Sequence, residues 1–206
     1  MKMNPVELDL RGAHRVSTVA ISPRPIAFVS TIGEDGVFNL APFSSVSPLS
    51  VKPLLISVSI VPRRNGVTKD TLKNIQYSKE FVINVVTEDM AEAMNKTAAP
   101  YPSSVDEFKE VGLTPVPSDI IRPPRVKESP INLECRLFQI LPFGQGVFGC
   151  HLIVGEVVMI HVKDELFLDG EIKVPEVKVI GRLGGDFYCR TTDRFEMKRP
   201  EGGSVD

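Results

Sequence analysis

Residues Arg24 to Ser45 read RPIAFVSTIGEDGVFNLAPFSS, and the reading of this stretch decides the fold. Ile26, Phe28, Val29, Thr31 and Ile32 are β-branched or aromatic, the types that suit a pleated, half-buried surface. Asp35-Gly36 separates this run from the next and predicts a two-residue type I′ hairpin turn. Pro42 has no N–H to donate, so pairing is expected to stop there. Phe43, Ser44 and Ser45 would then offer an aromatic face, two hydroxyls and unpaired backbone amides. Such a corner can hold a planar polar ligand.

Working outward, strands are expected at 25–33, 36–40, 53–60, 80–86, 132–141 and 151–162, with another near 177–182. LLISVSIV (Leu54 to Val61) is nearly continuous in apolar residues and serine, as expected of a strand covered on both faces. Gly155 interrupts HLIVGEVVMIHV and marks a bulge or a close backbone approach. Helices are few and short. One follows Thr68 in KDTLKNI, and another is capped by Thr87 with Met90, Ala91 and Met94 on one face. A third shows a capping box of Ser104 and Glu107, a stripe of Val105, Phe108 and Val111, and a Gly112 stop. The proline-rich segment Pro115 to Pro130 carries Ile120, Ile121 and Val126, which an exposed linker would not need, so it reads as an ordered surface excursion. Strands dominating over short helices indicate a closed antiparallel barrel with appended helices.

The chain of 206 residues is read as one domain over 1–206, with an N-terminal arm at 1–22 and a C-terminal tail at 189–206. At this length a chain buries about 70% of the surface its unfolded form exposes, so no metal or disulfide staple is needed. A net charge of −2 gives no electrostatic reason for a nucleic-acid or membrane partner. No apolar run reaches the length of a membrane span, and Glu7, Asp9 and Arg11 break the N-terminal apolar pattern, so a cytoplasmic protein is expected. Cys135, Cys150 and Cys189 have neither disulfide nor zinc spacing; Cys135, in LECRLFQI, is expected as a reduced thiol in or near the core. His14, His151 and His161 are too scattered for a metal site, and each is expected to be a structural or surface histidine.

Between Arg63 and Lys73 the chain reads RRNGVTKDTLK, where Arg63, Arg64, Lys69 and Lys73 face the single acid Asp70. The window runs into a helix N-terminus, where free N–H groups favour an anion. A phosphate ester held by Lys69, Thr71 and Arg63 or Arg64 fits this pattern; a solvated basic loop before an ordinary helix fits it too.

RPIAFVST, NLAPFSS, KDTLKNI (Lys69 to Ile75) and EFVIN (Glu80 to Asn84) follow in the order and spacing of a known family. VDEF (Val105 to Phe108), Gly112-Leu113, PPRVKESP (Pro123 to Pro130), Gly155-Glu156 and RLGGDFY (Arg182 to Tyr188) extend the match. In these pieces the chain resembles the flavin-reductase-like FMN-binding split β-barrel proteins. The resemblance implies a mainly β fold, a split antiparallel Greek-key barrel with a few short appended helices. It implies FMN as cofactor, with Arg24, Val29, Ser30, Thr31, Pro42, Phe43, Ser44 and Ser45 toward the ring, and Asn39 toward the phosphate, the ribityl chain or the ring. Arg63, Arg64, Lys69, Asp70 and Thr71 would meet the phosphate. Arg24 has a second reading, as an ion pair or cap where the strand begins. RLGGDFYCR (Arg182 to Arg190) would either shape the rim of the pocket, with Tyr188 across an exposed flavin face, or form a hairpin edge without ligand contact.

The activity implied is an NAD(P)H-dependent flavin reductase, with NADH or NADPH as donor. The chain has no GxGxxG fingerprint, so the donor would stack directly on the flavin. The acceptor would be a small redox substrate or a partner oxygenase, and a homodimer is implied. The alternatives are a non-catalytic FMN electron carrier or redox sensor of the same fold, and a barrel that binds no flavin.

Overall fold

The long strands are those where β-branched and aromatic residues concentrate. In this computed structural model, which describes residues 2–63, 65–144, 149–173 and 177–200, they are β1 (Ala27–Ile32), β2 (Phe38–Phe43), β3 (Val46–Val51), β4 (Leu54–Ile60) and β5 (Glu80–Val85). After the two-residue strands β6 (Pro115–Val116) and β7 (Arg125–Val126) come the longest two, β8 (Ile131–Phe143) and β9 (Cys150–Val162). Short pairs β10 (Phe167–Leu168) with β11 (Glu171–Ile172), and β12 (Ile180–Arg182) with β13 (Tyr188–Arg190), complete the strands. Helices are α1 (Leu10–Ala20), α2 (Asp70–Ser78), α3 (Ala91–Lys96) and α4 (Glu107–Val111).

One antiparallel sheet runs in the order β2-β1-β5-β8-β9-β4-β3. Its two edge strands, β2 and β3, are consecutive in the chain but do not pair with each other. The barrel is therefore split at this seam, not closed as the strand pattern alone suggested. Ser44 and Ser45 carry the chain across the gap.

Alternation along the strands makes two cores. Ala27, Val29, Phe43, Val58, Ile60, Phe81, Cys135 and Ile153 form one cluster, joined by Leu72 and Ile75 of α2. The neighbouring residue Phe28 points the other way, to a second cluster with Leu40, Met90, Met94, Phe108 and Val126. Cys135 is a fully buried free thiol, and burial pushes it far up from its ordinary pKa.

Several local expectations need correction. The β1–β2 connection spans residues 33–37, and only Gly36 takes a positive φ (+81°). Gly36 N donates to Gly33 O (3.1 Å) and Gly33 N to Val37 O (2.9 Å), so a wider loop replaces the type I′ turn. Pro42 does not halt pairing; it lies opposite Phe28 inside β2. An edge strand tolerates it because its missing N–H faces away from a partner. Strand β3, in a serine- and proline-rich run, was not anticipated and occupies the other edge. Helix α1 occupies much of the expected arm, and β13 extends into the expected tail. Asp106, not Ser104, caps α4 by accepting from Phe108 N (3.1 Å), because the Glu107 carboxylate is turned inward. Thr87 makes no side-chain cap and instead bridges to Val179.

Other expectations hold. Gly112 closes α4 at φ +71°. The 115–130 excursion is pinned down by the β6–β7 pair and by buried Ile121 and Val126, although Ile120 is exposed. At Gly155 a Cβ would lie 2.4 Å from Phe81 Cζ, so the backbone approach is close.

Candidate functional site

The seam between β2 and β3 creates the corner that the Pro42-to-Ser45 sequence suggested. Ser45 O accepts from Ser59 N (2.8 Å), while no hydrogen bond from the N–H of Ser44 or Ser45 is found among the described residues. Two amides are thus left for a ligand. A cleft of 220 Å³ opens here, lined by Pro42, Phe43, Ser44, Ala98, Arg182 and Tyr188. A second of 390 Å³ shares Ser44 and is lined by Thr18, Arg24, Ser45, Ser57 and Ser59. Phe43 serves both the barrel core, at 6% exposure, and the cleft wall.

Helix α2 begins beside this corner. Its N-cap, Lys69, makes no side-chain capping bond, so the first-turn N–H groups have no side-chain acceptor from the cap. The Lys69 ammonium lies 5.0 Å from the Phe43 ring centroid. Burial first, and then the charge of Arg63, lowers its pKa from the ordinary value. The other described cations of the loop are paired. Arg63 Nη2 meets Asp70 Oδ2 at 2.8 Å and Tyr101 O at 3.1 Å, and Lys73 Nζ meets Asp70 Oδ1 at 3.1 Å. Asp70 therefore organises the loop's cations. Among the described residues Lys69 has no carboxylate partner. Arg64 lies outside the described residues.

Ser30, Thr31 and Thr71 are placed in internal networks, and Asn39 joins one while also lining a cleft of 520 Å³ with Asp70 and Lys73. Ser30 Oγ donates to Pro124 O (2.5 Å) and accepts from Asn84 Nδ2 (3.1 Å). Asn39 Oδ1 accepts from Thr31 Oγ1 (3.3 Å) and Thr71 Oγ1 (2.7 Å), while its Nδ2 donates to Glu107 Oε1 (2.9 Å). These groups fasten the proline-rich excursion, α2 and α4 to the sheet. Val29 sits mid-sheet, opposite Ala41 on one side and Ile83 on the other, so both its sides are occupied by ladders. Val29 and Ser30 are thus paired to strands on both sides, whereas no partner of the Ser44 and Ser45 N–H groups is found among the described residues. Thr71 can still offer its first-turn backbone N–H.

Arg24 takes the capping role and reaches further. Its Nη1 donates to Thr18 O (2.6 Å) at the end of α1, its Nη2 to Leu183 O (3.1 Å) and its Nε to Ser44 Oγ (3.3 Å). Backbone bonds in both directions between Arg24 and Arg182 fix the β12–β13 hairpin against the corner. Tyr188, on that hairpin, borders the cleft and lies under the Arg182 guanidinium at 4.4 Å.

The sequence reading missed Glu107 and Asn84 as organisers, and Met94 and Ala98 as cleft walls. An Asn at the end of the apolar run EFVIN was a signal, because a buried amide requires partners. Nothing local marked Ala98, which is brought in by tertiary packing alone. His161 bonds to the buried Glu134 at 2.6 Å, a structural pairing. Asp119 completes a cluster with donor atoms within 4.8 Å, but Arg125 reaches Asp119 at 3.8 Å and Glu134 at 4.0 Å and supplies the positive charge there.

A family model described as the flavin reductase like domain matches residues 19–173. The chain belongs to the flavin-reductase-like family. An uncharacterised relative in Halalkalibacterium halodurans is 39% identical over 202 residues, covering 97% of each chain. The solved structure of nitrilotriacetate monooxygenase component B from Bacillus cereus is similar at TM-score 0.90 and 36% identity, covering 96% of this chain and 98% of that one. A Pseudomonas fluorescens 2-nitrobenzoate 2-nitroreductase is similar at TM-score 0.89 and 31% identity, over 100% of both chains. This flavin-reductase-like chain thus shares its split barrel with oxidoreductases over its full length. Among the described residues no helix is long and apolar enough to cross a membrane.

Proposed function

We propose that this protein binds FMN at the β2–β3 seam and reduces it with NADH or NADPH. The observation that carries the reading is the half-buried Lys69 ammonium, without a carboxylate partner among the described residues, over Phe43 and at the uncapped start of α2. A phosphate there would meet one cation and the first-turn N–H groups together. The amides and hydroxyls of Ser44 and Ser45, the two residues after Phe43, suit the polar edge of a flat ring. Bound FMN would supply the hydride-accepting chemistry, which needs no side-chain acid or base at its core. The chain's residues would hold the ring, orient it, and leave the Tyr188 side of the cleft for the donor.

The acceptor is a small redox substrate or a partner oxygenase. The similarity to a monooxygenase component and to a nitroreductase supports both options. A homodimer completing the site fits the exposed apolar edge at Leu49 and Val51 beside the seam. The test is a visible spectrum of the purified protein with FMN, taken before and after anaerobic NADH and NADPH. Bleaching by either donor is expected. A bound flavin that neither donor bleaches would favour the electron carrier, and no retained flavin would remove the site.

A further inference from the structure

Arg24 and Arg182 face each other across a two-way backbone bridge, Arg24 N to Arg182 O at 2.9 Å and Arg182 N to Arg24 O at 2.8 Å. Opposed residues of an antiparallel bridge project to the same side, so both guanidiniums lie at the Ser44 corner. Among the described residues every hydrogen-bond partner they have is neutral. Arg24 donates to Ser44 Oγ, Thr18 O and Leu183 O; Arg182 donates to Tyr188 Oη and Gly185 O. Neither forms an ion pair among the described residues. A guanidinium carries five N–H groups, so each retains donors beyond these bonds.

Two like charges held together and partly desolvated are unfavourable unless an anion joins them. Burial first, and then the charge of Arg182, pulls the pKa of Arg24 down from its ordinary value, which registers the same repulsion. The two residues border adjoining clefts, Arg24 the serine-lined one and Arg182 the one walled by Phe43 and Tyr188. Stacking on Tyr188 at 4.4 Å keeps the Arg182 plane fixed at the cleft mouth.

We infer that the Arg24–Arg182 pair receives an anionic group, carboxylate or phosphate, on the small molecule that exchanges electrons with the flavin. This rests on the flavin reading above and adds the substrate's charge to it. Lys69 and the start of α2 would hold the cofactor's phosphate, and the arginine pair would hold a second anion at the Ser44 corner. The anion has two chemical sources, the diphosphate of the nicotinamide donor or the carboxylate of an aromatic acid acceptor.

Calorimetry on the FMN-loaded protein separates them, using ADP-ribose for the diphosphate, benzoate for the carboxylate and benzamide as the neutral control. One charged probe should bind at least tenfold more tightly than benzamide, and which one does names the source. R182Q should weaken that probe at least tenfold and benzamide less than twofold, and R182K should recover part of the loss. Equal binding of all three probes, or an unaffected R182Q, would overturn the inference. So would an R182Q that loses FMN but binds riboflavin as before, since the pair would then hold the cofactor's own phosphate. If R182Q does not fold, the salt dependence of probe binding to the unaltered protein decides, because an arginine-held anion must weaken as ionic strength rises. FMN binding is read separately by flavin fluorescence, and its failure with charge discrimination intact would count against the flavin reading alone.

Discussion

Lys69 is the residue on which the phosphate assignment turns, because Asp70 already engages Arg63 and Lys73. Lys69→Ala is expected to weaken FMN by about 1.5–3 kcal/mol, the range for a hydrogen bond to a charged group, and to leave riboflavin unchanged. Fluorescence titration of both flavins checks this; equal losses would place the phosphate elsewhere. Glu134 is the residue on which acid stability turns. Burial raises its pKa, but the N–H groups of Asp119 (2.8 Å) and Ile120 (2.9 Å), together with His161, outweigh burial and leave it below the usual carboxylate value. A lowered folded pKa means the stabilisation is fully present above the unfolded value and is lost as pH falls through the folded one. Stability from urea unfolding should therefore drop below about pH 4.5, and Glu134→Gln should flatten that drop while costing about 2–3 kcal/mol at neutral pH. An unchanged acid limb in the variant would exclude Glu134 as its source.

At the scale of elements, β5, β8 and β9 are joined by one tight contact. A Cβ at Gly155 would meet Phe81 Cζ at 2.4 Å, Phe81 Cε1 at 2.9 Å and Cys135 Cβ at 3.2 Å. Phe81 and Cys135 are fully buried, so neither can yield without moving the sheet. Gly155→Ala is expected to destabilise by about 1–3 kcal/mol through overpacking, and Phe81→Leu in the same chain should recover part of it. Thermal melts of the single and double variants measure this; purely additive losses would mean that the two sites do not share the strain. Helices α2 and α4 are held to the sheet by the Thr31–Asn39–Thr71–Glu107 network, which explains why these polar residues are buried side by side.

For the whole molecule, the proposed chemistry and the proposed assembly both meet at the open seam. The cleft at Phe43, Ser44, Arg182 and Tyr188 holds no histidine or carboxylate among its lining residues. Flavin reduction in single-turnover stopped flow should accordingly be nearly flat between about pH 6 and pH 8, where backbone amides and arginine do not titrate. A tenfold change per pH unit would reveal an acid or base that the seam does not contain. Light scattering at micromolar concentration should give a dimer mass, since a twofold partner is the commonest cover for an apolar edge such as Leu49 and Val51. A monomer that still binds FMN would remove the partner from the site.

By itself the sequence determined the strands with strong local preference, the start of α2, the Gly112 stop and the burial of Cys135, because these depend on side-chain type and near neighbours. The corner at Phe43 to Ser45 was legible for the same reason, although Pro42 proved to be an edge-strand residue and not a terminator. Only the tertiary structure decided that β2 and β3 lie at the two edges of the sheet without pairing to each other. It alone turned Ser30, Thr31, Asn39 and Thr71 into buried joints, since a hydroxyl or amide reads the same whether its partner is a ligand or another strand. The facing of Arg24 and Arg182, 158 positions apart in the chain, likewise has no local signature. Long-range pairing brings the two charges together, and their partners exist only after the chain has folded.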